Sequence, residues 1–293
     1  MFSDYHVHSS FSFDSEESPR AIVEKAIALG MKQICFTDHQ DFNWPIEGES
    51  PYIDFPKYFE ALNSLRNEYS SKINILKGVE LGLTSDNFSL CHKLLDSYDF
   101  DFVIGSCHIV DQIDPYYAEF WEGKNDRDCF ELYFKTLLDS LKSFIGRNTC
   151  TTPRTVNTLG HLDYIVRYSP NKDNNYSVAD YIDVIDEILK MIIENNIKLE
   201  INTSNFSKGF DFPNPHTDII RRYKELGGLY VTVGSDAHKA QFIGSGFDLV
   251  EKNRLKKYKL KVFYYLNCNN LIFYFDLILL TNLNLILNFI CKK

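Results

Sequence analysis

The sequence predicts an α/β protein in which about seven strand–helix repeats close a parallel sheet into a barrel. Three observations predict it. Short apolar runs alternate with amphipathic stretches as far as about residue 250. That alternation is what a parallel sheet needs, because parallel neighbours are joined by crossover connections. Each apolar run also ends in His, Asp, Glu or Asn, and the C-terminal ends of parallel strands are where α/β proteins build their sites. The length of 293 residues suits one such barrel.

Taken in order, Ser18-Pro19 supplies an N-cap and a first-turn proline. Ile22, Val23, Ala26 and Ile27 then form one helical face, and Gly30 ends the helix. Gln33–His39 is a buried strand running into a polar end. The same change recurs at residues 73–80, 101–108, 156–163, 198–205 and 229–238. Helices are expected over roughly 88–97, 127–145, 178–195 and 216–226, and residues 146–158 read as a polar loop, the segment most prone to disorder. The GSGF stretch at 244–247 lacks the P-loop lysine and the Rossmann spacing, so it reads as a turn. No GxSxG elbow is present.

Composition narrows the function classes. A hydrophobic fraction of 44% with 24% charged residues excludes disorder, collagen and coiled coil as descriptions of the whole chain. The net charge of −9 argues against a generally basic nucleic-acid binder. Seven cysteines without a CxxC pair read as reduced thiols, and hence a cytoplasmic home. The N-terminal MFSDYHVHSSFSFD has neither a basic nor an apolar leader region, so no secretory signal is expected.

The chemistry lies in the histidines. Of eight, six fall at strand ends: His6, His8, His39, His108, His161 and His238. His92 and His216 fall on expected helices, His216 at a helix start. His6 and His8 are two apart on a strand, so both rings face one side, about 6.6 Å apart along the chain. Asp236 and His238 repeat that spacing, and Glu80 and Asp14 add carboxylates. Three carboxylates at one barrel mouth repel by up to about 4 kcal/mol per pair at 4 Å. Neutral imidazoles cannot offset that charge; divalent cations can. Mixed imidazole and carboxylate ligands suit Zn, Mn or Fe better than Ca. Cys107 points to the face of its strand opposite His108, away from such a set.

DYHVHSSFSFD, FTDH, KGVELG, IGSCH, GHLD and GSDAH, in this order, resemble the PHP (polymerase and histidinol phosphatase) phosphoesterase family, most of all its histidinol-phosphatase branch. The resemblance covers about residues 1–250. It implies a distorted seven-stranded TIM-like barrel and three divalent ions (Zn, Mn or Fe). By that resemblance one ion is held by His6, His8, Glu80 and Asp236. A second is held by Glu80 as a bridge, with His108 and His161, and the third by Asp14, His39 and His238. The activity it implies is hydrolysis of L-histidinol phosphate to L-histidinol and phosphate, in histidine biosynthesis. A hydroxide bridging the metals would attack phosphorus, and no protein nucleophile is needed.

Beyond the metal ligands, Arg167 is expected to fork onto phosphate or else to sit in a salt bridge, and is grouped with Glu80 and Asp236 as catalytic. Asp4, Asp38 and Asp163 each neighbour a ligand histidine and read as orienting or surface carboxylates rather than ligands. Asn202 and Ser204 are expected in the substrate pocket or as a strand-end cap. The expected partner is a small phosphate ester rather than nucleic acid or a membrane. Two alternatives stand beside this: a PHP phosphoesterase for another small phosphate or a nucleic-acid end, and an inactive remnant with a disrupted C-terminus.

The second alternative comes from the tail. Residues 1–255 are expected to form the barrel domain and 256–293 an atypical tail. Leu271–Ile290 holds twenty mostly apolar residues, just enough for a bilayer, yet Asp276 and three asparagines interrupt them. Its composition suits a shifted reading frame in AT-rich DNA. Val262–Leu266 is the one stretch there able to add a closing strand.

Overall fold

The apolar runs pair side by side, all in parallel. The computed structural model describes residues 3–146, 155–250 and 258–263. Its strands are β1 (Ser3–Asp4), β2 (Gln33–Phe36), β3 (His39–Asp41), β4 (Asn74–Gly82), β5 (Phe102–Ser106), β6 (Thr158–Leu159), β7 (Lys198–Asn202), β8 (Tyr230–Gly234) and β9 (Lys261–Val262). The helices are α1 (Pro19–Ala28), α2 (Phe55–Glu68), α3 (Phe88–Ser97), α4 (Asp126–Gly146), α5 (Ile182–Glu194), α6 (Ser204–Ser207), α7 (Thr217–Glu225) and α8 (Phe247–Val250).

The strand order is β1-β2-β4-β5-β6-β7-β8-β9, with β3 also on β4. β2 pairs with the first half of β4 and β3 with the second, so the two share one position in the ring. Seven positions then close on themselves. Tyr5 N–H donates to the Val233 carbonyl, Asp236 N–H to His6 and His8 N–H to Ala237, which joins the end of β1 to the end of β8. The expected distorted (β/α)7 barrel is the fold observed, and its closing seam carries His6, His8, Asp236 and His238.

Local chemistry explains the elements. The Ser18 hydroxyl accepts from the Ala21 amide at 3.2 Å, and Gly30 takes the positive φ of 73° that releases the chain from α1. α2 was not among the expected helices. Its own signals are ordinary: Asp54 caps it, Pro56 lies in its first turn, and Phe55, Tyr58, Leu62 and Leu65 form its buried stripe. The Tyr58 hydroxyl donates to the carbonyls of Phe36 and Gly78, fastening α2 to the sheet.

Two glycines make room for the site. A Cβ on Gly234 would collide with His6, and one on Gly82 with the Asp41 carboxylate. Crowding of this kind in a packed interior costs about 1–3 kcal/mol.

At the C-terminal side, Lys261 and Val262 pair with Tyr230 and Val231, and the Phe263 ring lies 6.4 Å from that of Tyr5. The sheet therefore continues past the boundary expected at residue 255. It also uses the start of the Val262–Leu266 stretch, because β8 offers β9 its first residues while giving β1 its last. Leu271–Ile290 and most of the 146–158 loop lie outside the described residues. Among the described residues no helix is long and apolar enough to cross a membrane.

Candidate active site

Glu80 sits on β4 with no exposed surface, and five imidazoles surround its carboxylate. Its Oε2 lies 3.1 Å from His6 Nε2, 3.5 Å from His8 Nε2 and 3.1 Å from His39 Nδ1. Its Oε1 lies 3.3 Å from His108 Nε2 and 2.9 Å from His161 Nε2, and accepts from the Ser106 hydroxyl. Burial alone would raise the Glu80 carboxyl, but the imidazoles of His6, His39 and His108 hold it well below the usual carboxylate range.

Asp236 flanks this centre. Its Oδ1 lies 3.7 Å from His6 Nε2 and 3.4 Å from His8 Nε2, while Oδ2 accepts from Arg167 at 3.0 Å. The residue has a φ of 55°, a left-handed conformation that costs a non-glycine residue energy and is held by its surroundings. Asp4 supplies much of that hold: its carboxylate accepts from the Ser235 amide and hydroxyl and from the Gly244 amide. Asp14, at the rim, lies 3.0 Å from His238 Nε2 and 3.6 Å from His39 Nε2. All nine side chains named from the sequence thus converge on one end of the barrel.

Their chemistry fits divalent metal ions. His8 Nε2 and His39 Nδ1 are buried without a hydrogen-bond partner although both face Glu80. The His8 ring stacks on His238 at 4.1 Å and on His39 at 4.2 Å, an arrangement that imidazolium rings would oppose. Burial, then the neighbouring rings of His238 and His39, push His8 well below the usual histidine value, so its lone pair is available. The donor atoms gather as His6–His8–Asp236, His6–Glu80–His161, His39–Glu80–His108 and His8–His39–His238.

Two orienting carboxylates were not foreseen. Glu200 Oε1 lies 2.6 Å from His6 Nδ1, and Asp41 Oδ1 lies 2.7 Å from His108 Nδ1. Each fixes a ring so that its Nε2 faces Glu80, the usual task of an outer carboxylate at a metal site. The signals were present: Glu200 shares its strand face with Asn202, and Asp41 stands two residues beyond His39 on β3.

The carboxylates close to ligand histidines in sequence act less directly, and Asp4 accepts from the His6 amide at 3.3 Å. Asp4, Asp38 and Asp163 are fully buried, so none is a surface group. Asp38 accepts from Ser9 and Ser12, and Ser12 in turn contacts His8 Nδ1 at 3.1 Å. Asp163 accepts from the His216 amide and the Tyr176 hydroxyl. His216 caps α7, its Nδ1 accepting from the Asp218 amide. His92 is buried on α3 against Phe144, and Cys107 is buried outside the metal groupings.

Arg167 is 8% exposed and lies beside the cavity. It donates to Asp236, Asn202 and Asn205 through NH1, NH2 and Nε, so the salt-bridged arrangement is present. Asn202 is fully buried and links Arg167 to Glu200 and Asp236, whereas Ser204 does reach the cavity wall. The cavity above the cluster holds about 500 Å³, within the range of small-molecule sites.

A barrel mouth with this histidine and carboxylate set defines a class, and comparison with known proteins identifies it. The PHP domain family model matches residues 4–204, and the chain belongs to that family. It is 37% identical over 242 residues to a histidinol-phosphatase of Lactococcus lactis, covering 81% of this chain and 84% of that one. A probable histidinol-phosphatase of Clostridium acetobutylicum is 36% identical, covering 87% of this chain and 92% of its own. Among solved structures, the Lactococcus lactis histidinol phosphate phosphatase complexed with zinc, L-histidinol and phosphate superposes with a TM-score of 0.77 at 35% identity. That match covers 89% of this chain and 95% of the other.

Two expectations follow. Glu80→Gln should lower turnover and metal content more than Asp14→Ala, because Glu80 meets five imidazoles at the centre and Asp14 meets two at the rim. The loss for Glu80→Gln should exceed about 100-fold in rate, the upper end of what removing a merely orienting group costs. Equal, mild losses in the two variants would contradict the central placement.

The other concerns pH. Burial raises the Asp163 carboxyl from 3.8 to about 7, and its Oδ1 has no hydrogen-bond partner. The folded state therefore holds this proton more tightly than the unfolded chain. Its contribution to stability is full at low pH and declines as pH rises towards about 7. Asp163→Asn, which stays neutral, should gain on the native protein by about 1–3 kcal/mol between about pH 5 and pH 8. Urea midpoints showing a constant difference across that interval would contradict it.

Proposed function

We propose that this protein is a metal-dependent phosphomonoesterase that hydrolyses L-histidinol phosphate to L-histidinol and phosphate. The observation that carries the reading is a buried carboxylate with five imidazole nitrogens within 3.5 Å, at the floor of an open cavity. Identity above one third to histidinol-phosphatases over most of both chains supports the substrate.

The proposal assigns three divalent ions to nine ligands: His6, His8, Asp14, His39, Glu80, His108, His161, Asp236 and His238. Zinc is supported by the Lactococcus lactis structure, and manganese or iron would suit the same donors. When bound, such ions lower the pKa of water and stabilise charge on phosphate oxygens and the departing alkoxide. Glu80, with both oxygens facing imidazoles, would serve two ions at once in this reading. Glu200 and Asp41 keep His6 and His108 aligned. Three of the five Arg167 N–H groups hold Asp236 and two asparagines, and the remaining two are assigned to the phosphate.

Residues 1–255 are proposed to carry the catalytic machinery, because all nine ligands precede residue 239, while β9 beyond them only extends the sheet. A cytoplasmic location is proposed from the free thiols of Cys35, Cys91, Cys107 and Cys129.

The test is a substrate panel. L-histidinol phosphate should be hydrolysed at least about 100-fold more efficiently than nucleoside monophosphates or phosphorylated oligonucleotide ends, a discrimination of roughly 3 kcal/mol. Chelation should abolish the activity, and added metal should restore it. Preferred release of phosphate from DNA or RNA ends would overturn the reading.

A further inference from the structure

Ser12 lies in the loop between β1 and α1, 4% exposed and outside the cavity wall. Three groups meet its hydroxyl. Oγ donates to Asp38 Oδ1 at 2.9 Å, accepts from the His39 amide at 3.0 Å and lies 3.1 Å from His8 Nδ1. A serine hydroxyl has one proton and two lone pairs, so these three contacts use it completely. The direction of each follows from its partner. The His39 amide can only donate. Asp38 Oδ1 already takes the Ser9 amide at 2.6 Å and the Ser9 hydroxyl at 3.0 Å, so it is an acceptor, and a proton on this carboxyl would sit on Oδ2. Ser12 therefore sends its proton to Asp38, and its second lone pair is left for His8. The hydrogen of that ring must then be on Nδ1.

The consequence falls on the other side of the imidazole. His8 stacks on both His39 and His238, which favours a neutral ring with a single proton. With that proton on Nδ1, Nε2 carries a bare lone pair 3.5 Å from Glu80 Oε2 and 3.4 Å from Asp236 Oδ1. The opposite tautomer would donate from Nε2 to one of those carboxylates, and the ring would be lost as a ligand. His6 and His108 do not meet this ambiguity, because Glu200 and Asp41 contact their Nδ1 atoms directly and an ionised carboxylate only accepts. A hydroxyl can donate or accept. A serine beside a ligand histidine selects a tautomer only when its own proton is fixed, and here Asp38 and the His39 amide fix it.

We propose that Ser12 is a positioning residue that holds His8 as the Nδ1–H tautomer and so offers its Nε2 lone pair to a metal ion. The inference rests on the metal-centre reading above and specifies which side chain prepares one of its ligands. Asp38 acts at one remove, by orienting the Ser12 proton. Because the same oxygen also holds the His39 amide, two ligand histidines from different strands are tied to one hydroxyl.

The experiment compares Ser12→Thr with Ser12→Val in the zinc-loaded full chain. The two side chains have nearly the same shape, so the added methyl group cancels and only the hydroxyl differs. Zinc retention is measured against a graded chelator, with urea midpoints on the same preparations. Ser12→Val should release zinc at about 10- to 100-fold weaker competition than Ser12→Thr, the usual cost of losing a group that orients a ligand histidine. Equal retention overturns the proposal. A lower urea midpoint in Ser12→Val with zinc retention unchanged also overturns it, because Ser12 would then only fasten its loop. Neutron diffraction from the native zinc-loaded protein tests the same point without a substitution. Deuterium should lie on His8 Nδ1 directed at Ser12, and the Ser12 deuterium should point at Asp38; a Ser12 deuterium directed at His8 contradicts the assignment. Neither measurement uses a substrate, so failure of L-histidinol phosphate as substrate leaves the inference standing. A native protein that takes up no zinc removes the metal reading and this inference together.

Discussion

Burying a carboxylate is costly unless opposite charge or strong hydrogen bonds meet it, and the barrel is organised around one such group. Glu80 has no exposed surface, and its two oxygens divide five imidazoles between them. Those rings cannot all be protonated, because several stack face to face at little more than 4 Å. Divalent ions would resolve the conflict, supplying positive charge to the carboxylates and taking up lone pairs that stacked neutral rings leave unused. In the proposed reading the site is complete only with divalent ions.

The rest of the molecule keeps this arrangement in place. The seam between β1 and β8 brings His6 and His8 from one end of the chain against Asp236 and His238 from the other. Asp4 holds the strained turn at Asp236, and Arg167 grips that residue's outer oxygen. Below, Glu200 reaches both His6 Nδ1 and the His161 amide, linking two elements of the cluster through one side chain. The missing Cβ atoms of Gly234 and Gly82 leave space for His6 and Asp41. Ring orientation at the metal cluster thus depends on contacts made deep inside the barrel.

Much of this was legible in the sequence because strand geometry is periodic. The alternation of His6 and His8, and of Asp236 and His238, states which side chains share a face, and apolar runs ending in ligands mark the open end of a parallel barrel. What the pattern could not state is which distant group each side chain meets. Glu200 and His6 are 194 positions apart, and no local spacing links them. Asp163 adjoins a ligand histidine in sequence, yet its carboxylate serves the start of α7. Helix α2 was missed, although its cap and apolar stripe were ordinary. The extension of the sheet by β9 depends on β8 being longer than its pairing with β1, a tertiary fact.

The central claim is that these nine side chains exist to hold metal, and counting ions tests it most directly. Elemental analysis of natively purified, active protein should find close to three transition-metal ions per chain, since nine nitrogen and oxygen ligands are too many for one four-coordinate ion. One ion or none in an active sample would contradict the account.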